Sequence, residues 1–442
     1  MKAIIHIGSS KTGTSTIQSF LAKNYDSLKK QRIYVPSGLI PGIFWGSHSR
    51  LATATYSPEA WASWPMSAFQ GLGLYVNLLS QEDREGLSSP EKGITLEDQK
   101  RLLENYRGEI ETNCSKDDTV LFSCELLALF LESEVERVKE WMDSLFEDVT
   151  IILYLRRQPE YLVSFYYTYV FGSSSWNLFD YLNMPEDRSI LAYHQMVKRW
   201  SIFGKDKLKI RIFDKQEFHD KDLLADFAHT VGFDMTDMQR VENVNVSIGS
   251  ANTEFLRLLN PHYPMLDSWT HNSDYWQLMG SISAISEKTR TPYHVTCEEV
   301  RQILAQYREG NDWIAREYLG REKLFSEDVS MYPETVDSPH GLTLEKCAEI
   351  TAHLWKERCE VIRQLQQGNQ QLQSEVQHRD AEIQRSHDNL ALLQQKRSIY
   401  WHYYRYKVLA KITLGKKCKH YKEKRNAFHE KVRQIRELYQ LK

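Results

Sequence analysis

No two of the six cysteines in this 442-residue chain stand at C-x-x-C spacing, and no cluster of histidines accompanies them. Cys114, Cys124, Cys297, Cys347, Cys359 and Cys418 therefore read as reduced thiols, so neither a disulfide framework nor a structural zinc site is implied. Long hydrophobic runs are missing as well. The longest, Thr119 to Leu131, falls short of the roughly 20 apolar residues needed to cross a bilayer, and it contains Glu125. Met1 leads straight into an apolar segment, so no signal peptide is expected and a cytoplasmic location follows. What is present is ample for a core: 41% of residues are hydrophobic and 12% aromatic, enough for two or three folded units.

The apolar run Ala3 to Ile7 has the length and branching of a buried strand, and the segment after it carries apolar residues at helical spacing, Ile17, Phe20, Leu21 and Leu28. Between them lies Gly8-Ser9-Ser10-Lys11-Thr12-Gly13-Thr14-Ser15-Thr16. A turn from strand to helix aims backbone N–H groups and the positive end of the helix dipole at one spot, while glycines let the backbone approach a ligand. Lys11 adds a charge and the hydroxyls add donors, so phosphate or sulfate fits. Gly8 and Gly13 match the G-x-x-x-x-G frame of a nucleotide-binding P-loop, but Thr14 stands where its lysine is required. A P-loop kinase is thereby disfavoured.

A second strand, Val149 to Leu155, runs into Arg156-Arg157-Gln158-Pro159, with Pro159 suited to the first turn of a helix. Arg156 leaves the strand end and Ser164 sits about two helical turns along, so the two converge on one phosphate, Arg as a fork and Ser as a short donor. Together, Lys-Thr-Gly-Thr-Ser after the first strand and this Arg…Ser pair resemble the sulfotransferases that use 3′-phosphoadenosine 5′-phosphosulfate (PAPS) and release adenosine 3′,5′-bisphosphate (PAP). The resemblance covers about the first 260 residues. It implies that Lys11 contacts the bridging oxygen, that Ser10 and Thr12, Gly13, Thr14, Ser15 and Thr16 hold the 5′-phosphate, and that Arg156 and Ser164 hold the 3′-phosphate. Arg157 either shares that role or faces solvent. Asn245 and Ser247 resemble an Asn-x-Ser segment of bacterial-type members and are candidate cofactor or loop-closing groups, an ordinary turn being the alternative. The resemblance further implies a hydroxyl acceptor on a carbohydrate or cell-surface glycan, and chemistry that requires no metal.

Sulfuryl transfer is an in-line displacement, so a base must take the acceptor's proton and cations must neutralise the leaving phosphate. Lys11 and the loop amides serve the second need. Two candidates serve the first. Glu125 follows the strand Val120 to Ser123 in an apolar neighbourhood that raises a carboxyl pKa; His48 lies in a loop beyond the strand Ile33 to Pro36. The alternation of strands near 2–7, 33–36, 119–123, 149–155 and 207–213 with helices predicts an α/β fold, a P-loop-like parallel sheet flanked by helices on both faces. All ligand groups then fall at carboxyl ends of strands. An insert from Ser37 to about Leu96, with Trp45, Trp61, Trp64, Phe69 and Tyr75, is expected to cover that edge by packing or by stacking on sugar.

The units expected are a core over 1–260, its helical continuation over 261–345, a coiled coil over 346–395 and a basic tail over 396–442. Heptads place Ile362, Asn369, Val376, Ile383 and Leu390 at a, and Leu365, Leu372, Arg379, Ser386 and Leu393 at d, which predicts a parallel homodimer or, with Arg379 and Ser386 breaking the seam, one amphipathic helix. From Lys396 to Lys442 there are fifteen Lys or Arg against three Glu, interleaved with aromatics, whereas the whole chain carries −3. Such a segment suits an anionic membrane surface or an acidic glycan; no nucleic-acid motif accompanies it. A non-catalytic scaffold built on this tail would be marked by lost ligand groups, and Lys11, Arg156 and Ser164 are intact.

Overall fold

The computed structural model describes residues 1–37, 48–57, 85, 94–172, 174–241, 248–263, 266–267, 270–271, 273–285 and 293–438. Trp45, Trp61, Trp64, Phe69, Tyr75, Asn245 and Ser247 lie outside them. The chain forms two compact units, Met1–Leu354 and Trp355–Lys442.

The first unit is an α/β structure around five strands: β1 (Lys2–His6), β2 (Ile33–Tyr34), β3 (Thr119–Ser123), β4 (Asp148–Leu155) and β5 (Leu208–Ile212). All pair in parallel, in the order β2-β3-β1-β4-β5. β1 is central, with Lys2 beside both Thr119 and Asp148, so His6 ends level with Ser123 and Ile152. A parallel sheet must be covered on both faces, and the alternation of side chains divides the core accordingly. Ala3, Ile5, Val120, Phe122, Ile151 and Leu153 face one way, against helices that include Leu96–Asn113, Glu132–Asp143 and Gln158–Phe171. Ile4, Leu121, Ile152 and Tyr154 face the other way, against Ile17, Phe20 and Leu21 of helix Thr14–Lys23 and Leu224 and Phe227 of helix Leu223–Val231. Each fully buried apolar side chain contributes roughly 1.5–3 kcal/mol relative to exposure, so the sheet interior fixes the strand order.

Beyond β5 the unit continues with helices Leu223–Val231, Ser250–Leu259, Ser273–Ala284 and Cys297–Ile314. Thr296 caps the last by accepting from the Glu299 N–H, while Glu299 accepts back from the Thr296 N–H.

The second unit is built from the long helix Leu344–Ile412 from Trp355 onward and from the helix Lys416–Leu438. The sequence boundary at 395/396 marks a change of composition only. No Gly or Pro stands there, and the backbone turns instead at Gly415, whose φ is +72°. The heptad residues Ile362, Leu365, Leu372, Val376, Ile383, Leu390 and Leu393 are 49–68% exposed in the single chain. Among the described residues no helix is long and apolar enough to cross a membrane.

Phe122 is fully buried at the centre of an aromatic cluster, its ring 5.6 Å from His48, 5.8 Å from Tyr106 and 6.1 Å from Trp141. Phe122→Ala should therefore cost about 3–5 kcal/mol in denaturant unfolding of the first unit. A loss below about 1 kcal/mol would show that this face is not the core.

Candidate active site

The loop from Gly8 to Gly13 curls because three of its residues have left-handed backbones: Gly8 at φ +46°, Lys11 at +66° and Gly13 at +77°. Alternating backbone hand turns successive N–H groups to one side, the geometry of an anion nest. Lys11 is not a glycine, so it holds this conformation against a cost of order 1–3 kcal/mol. Gly13 has no alternative: a Cβ there would lie 2.2 Å from Leu223 Cδ2 and 3.1 Å from Phe213 Cε2. Gly13 also precedes helix Thr14–Lys23, whose N-terminus no side chain caps.

The loop hydroxyls are largely spent on bracing the curl. Ser9 Oγ donates to Tyr154 O at 3.0 Å, while Thr12 Oγ1 and Thr14 Oγ1 both point at Ser9 O, at 2.6 and 3.4 Å. Ser10 Oγ meets Tyr161 Oη at 3.1 Å, joining the loop to helix Gln158–Phe171. Ser164 lies three residues beyond Tyr161, on the same helix face, half-buried. Its hydroxyl makes no hydrogen bond to Arg156.

Arg156 does reach the loop: Nη1 donates to Lys11 O at 3.2 Å, and its guanidinium lies 5.6 Å from the Phe213 ring centre. Lys11 and Arg156 are both largely buried, and among the described residues neither has a carboxylate within ion-pair distance. Burial depresses the Lys11 pKa, and the charge of Arg156 depresses it further; Glu125 opposes them. Burial likewise lowers Arg156. The two cations thus meet beside the curled loop, where the charge of Arg156 disfavours the charged form of Lys11 and Glu160 favours that of Arg156.

Arg157 has a different fate. It pairs with Glu160 at 2.6 Å and donates to Ser326 O at 2.7 Å and Asp328 O at 2.9 Å, with Tyr332 Oη at 3.2 Å. It fastens a downstream segment to the helix, so its guanidinium is engaged within the fold and does not simply face solvent.

Glu125 opens a short 3-10 turn at the end of β3 and is 7% exposed. Gln18 Nε2 donates to its Oε2 at 2.7 Å. Burial raises its pKa above the usual carboxylate value, against the Gln18 hydrogen bond and the Lys11 charge. Sequence reasoning missed the groups behind it. Gln18 Nε2 also approaches Ser123 Oγ at 3.4 Å, and Ser123 Oγ meets His6 Nδ1 at 2.9 Å, so a buried polar chain runs His6–Ser123–Gln18–Glu125. His6 Nε2 is buried with no partner, under Gly8. The available signal was polarity: His6 and Ser123 each interrupt an apolar strand.

His48, the other candidate base, has both ring nitrogens committed. Nδ1 accepts from the Ser123 N–H at 2.7 Å, and Nε2 faces Pro36 O at 3.0 Å, which fixes a neutral ring protonated on Nε2. It is fully buried and ties the end of β2 to the end of β3. In this geometry it has no nitrogen free to take an acceptor's proton, because the sequence signal reported proximity to the strand ends and not the ring's partners.

No protein-family model matches the chain, and no solved structure matches it. An uncharacterized protein of Archaeoglobus fulgidus is 24% identical over 208 residues, 45% of this chain and 54% of that protein. The chain thus spans about half the length of the relative it matches.

Burial depresses the pKa of His6 to about 3 and of His48 to about 4. The unfolded chain protonates both below about 6.5, the native chain only near those lower values, so the stability they confer is complete above pH 6.5 and is lost as pH falls toward 4. Unfolding free energy measured across that window should decline, and His6→Gln should flatten the decline. An unchanged slope in the variant would place a charged imidazole at His6.

Proposed function

We propose that the first unit is a PAPS-dependent sulfotransferase moving a sulfuryl group to a hydroxyl of a carbohydrate or cell-surface glycan. The observation that carries this is the pair Lys11 and Arg156: two part-buried cations, with no carboxylate in ion-pair contact among the described residues, meeting at the curled loop where β1 and β4 end. A kinase-type P-loop would need lysine in place of Thr14. The P-loop-like character of the sheet belongs to the same proposal, supported by a nest placed directly after the central strand.

The cradle suits the donor's two charged ends. The loop amides, with Lys11, would hold the 5′-phosphosulfate, and Arg156 with Ser164 would hold the 3′-phosphate. When bound, PAPS supplies an activated sulfuryl group and leaves as PAP. Glu125, oriented by Gln18, takes the proton of the acceptor hydroxyl, and its raised pKa makes it a stronger base than an exposed carboxylate. Lys11 stabilises the negative charge growing on the bridging oxygen, which is worth most where water is excluded. Pairing of two chains through the exposed heptad stripe is part of the proposal, and so is a cytoplasmic site of action.

Arg156→Ala should weaken PAP binding by about 2–4 kcal/mol in calorimetry, with little change for adenosine 5′-phosphosulfate, which lacks the 3′-phosphate. Equal losses for the two ligands would remove Arg156 from the 3′-phosphate site. A thermal-shift comparison in which ATP stabilises the chain and PAP does not would overturn the assignment as a whole.

Glu125 must be ionised to act, so the rate should rise with pH through its elevated pKa. Glu125→Gln should abolish that limb of the kcat/KM profile while PAP affinity stays within about twofold. Should His48→Gln abolish the limb instead, His48 is the base.

A further inference from the structure

The polypeptide from Tyr400 onward folds into a helical hairpin. His402 stacks on Phe428 with ring centres 5.1 Å apart, Tyr406 on Tyr421 at 6.2 Å, and Cys418 Sγ donates to Ala410 O at 3.2 Å. His402, Tyr406 and Ala410 recur every four residues, so one stripe of the long helix lines the hairpin's inside. Ala410 and Val432 are buried there.

On the opposite stripe of that helix stand Trp401, Tyr404, Val408 and Ile412, 54–71% exposed, and Leu414 at the turn is 96% exposed. Their spacing of three, four and four residues aligns them on one face. Cations flank it: Arg405 lies 5.0 Å from the Trp401 ring and Lys407 5.8 Å from that of Tyr404. Around this apolar stripe the segment 396–442 carries fifteen Lys or Arg against three Glu.

We infer that this face is a docking surface for an anionic lipid bilayer, with Trp401, Val408, Ile412 and Leu414 entering the headgroup boundary and the flanking cations meeting anionic headgroups. Charge complementarity selects that occupant. A second copy of the hairpin would bring the same positive excess against itself. An acidic polymer would satisfy the cations but gain nothing from exposed aliphatic groups, whereas a bilayer interface takes both, each buried apolar group and each cation adding to adhesion. The inference stands apart from the sulfotransferase proposal, because no residue of the loop site takes part.

The test uses the full chain with sedimented vesicles of phosphatidylcholine alone or mixed with phosphatidylglycerol. Wild type should pellet with the mixed vesicles only, and adhesion should weaken between about 0.01 and 0.1 M ionic strength, as the screening length falls from about 30 to about 10 Å. Val408→Ser with Ile412→Ser should lower the partition coefficient by at least about tenfold, because two apolar side chains no longer leave water at the interface. Brominated lipid should quench part of the tryptophan emission, and Trp401→Phe should keep adhesion but lose that part, a readout that misfolding would not mimic. Adhesion undiminished by the serine pair, or quenching unchanged in Trp401→Phe, would overturn the inference. So would failure to bind vesicles with retention on an acidic polysaccharide, which would make the tail a glycan clamp.

Discussion

Lys11 and Arg156 converge on the loop at the carboxyl ends of β1 and β4, and the charge of Arg156 adds to burial in holding the Lys11 pKa down. A folded chain tolerates two desolvated like charges only when rigid structure holds them there, and each of the two is held by backbone. Lys11 is locked in a left-handed turn between two glycines, and Arg156 leaves a strand paired on both sides. Tyr193 Oη, donating to Arg156 O at 2.6 Å, closes the remaining freedom of that residue. The positions of both cations are thus set by backbone geometry.

Below that edge, the interior is not uniformly apolar. His6, Ser123 and Gln18 form a continuous hydrogen-bonded line ending on Glu125, with Tyr154 donating to Asp226 at 2.7 Å on the same side of the sheet. A buried polar line of this kind contributes little net stability but allows few alternative packings, because any shift leaves a donor or acceptor stranded. It fixes where the Glu125 carboxylate can point. His48 does the equivalent service on the other side of β3, joining two strand ends through both of its nitrogens.

The five strands were legible from run length and branching, and their ends moved by at most two residues between expectation and structure. Lys11 and Arg156 were legible because a cation after an apolar strand is a local signal. Ser123, Gln18 and Tyr161 were not, since each stands inside a pattern that periodicity assigns to the core, and their partnerships depend on strand register and helix docking. The distinction between Arg156 and Arg157 was likewise beyond sequence: Arg157 is satisfied by Ser326, 169 residues away. His48 shows a further limit of the sequence: spacing locates a side chain near the strand ends without revealing that both of its ring nitrogens are already hydrogen-bonded.

The seat of Gly13 against Leu223 and Phe213 has a consequence for the order of assembly. Both neighbours of β1 come from far downstream, His6 meeting Ser123 across 117 positions, and the loop that follows it is backed by the helix after β5. Contacts so distant in sequence close slowly, because the loop entropy is lost before the contacts reward it. The packed form of the loop therefore depends on β5 and helix Leu223–Val231 docking beside it. A chain in which that helix is undocked lacks the support beneath Gly13.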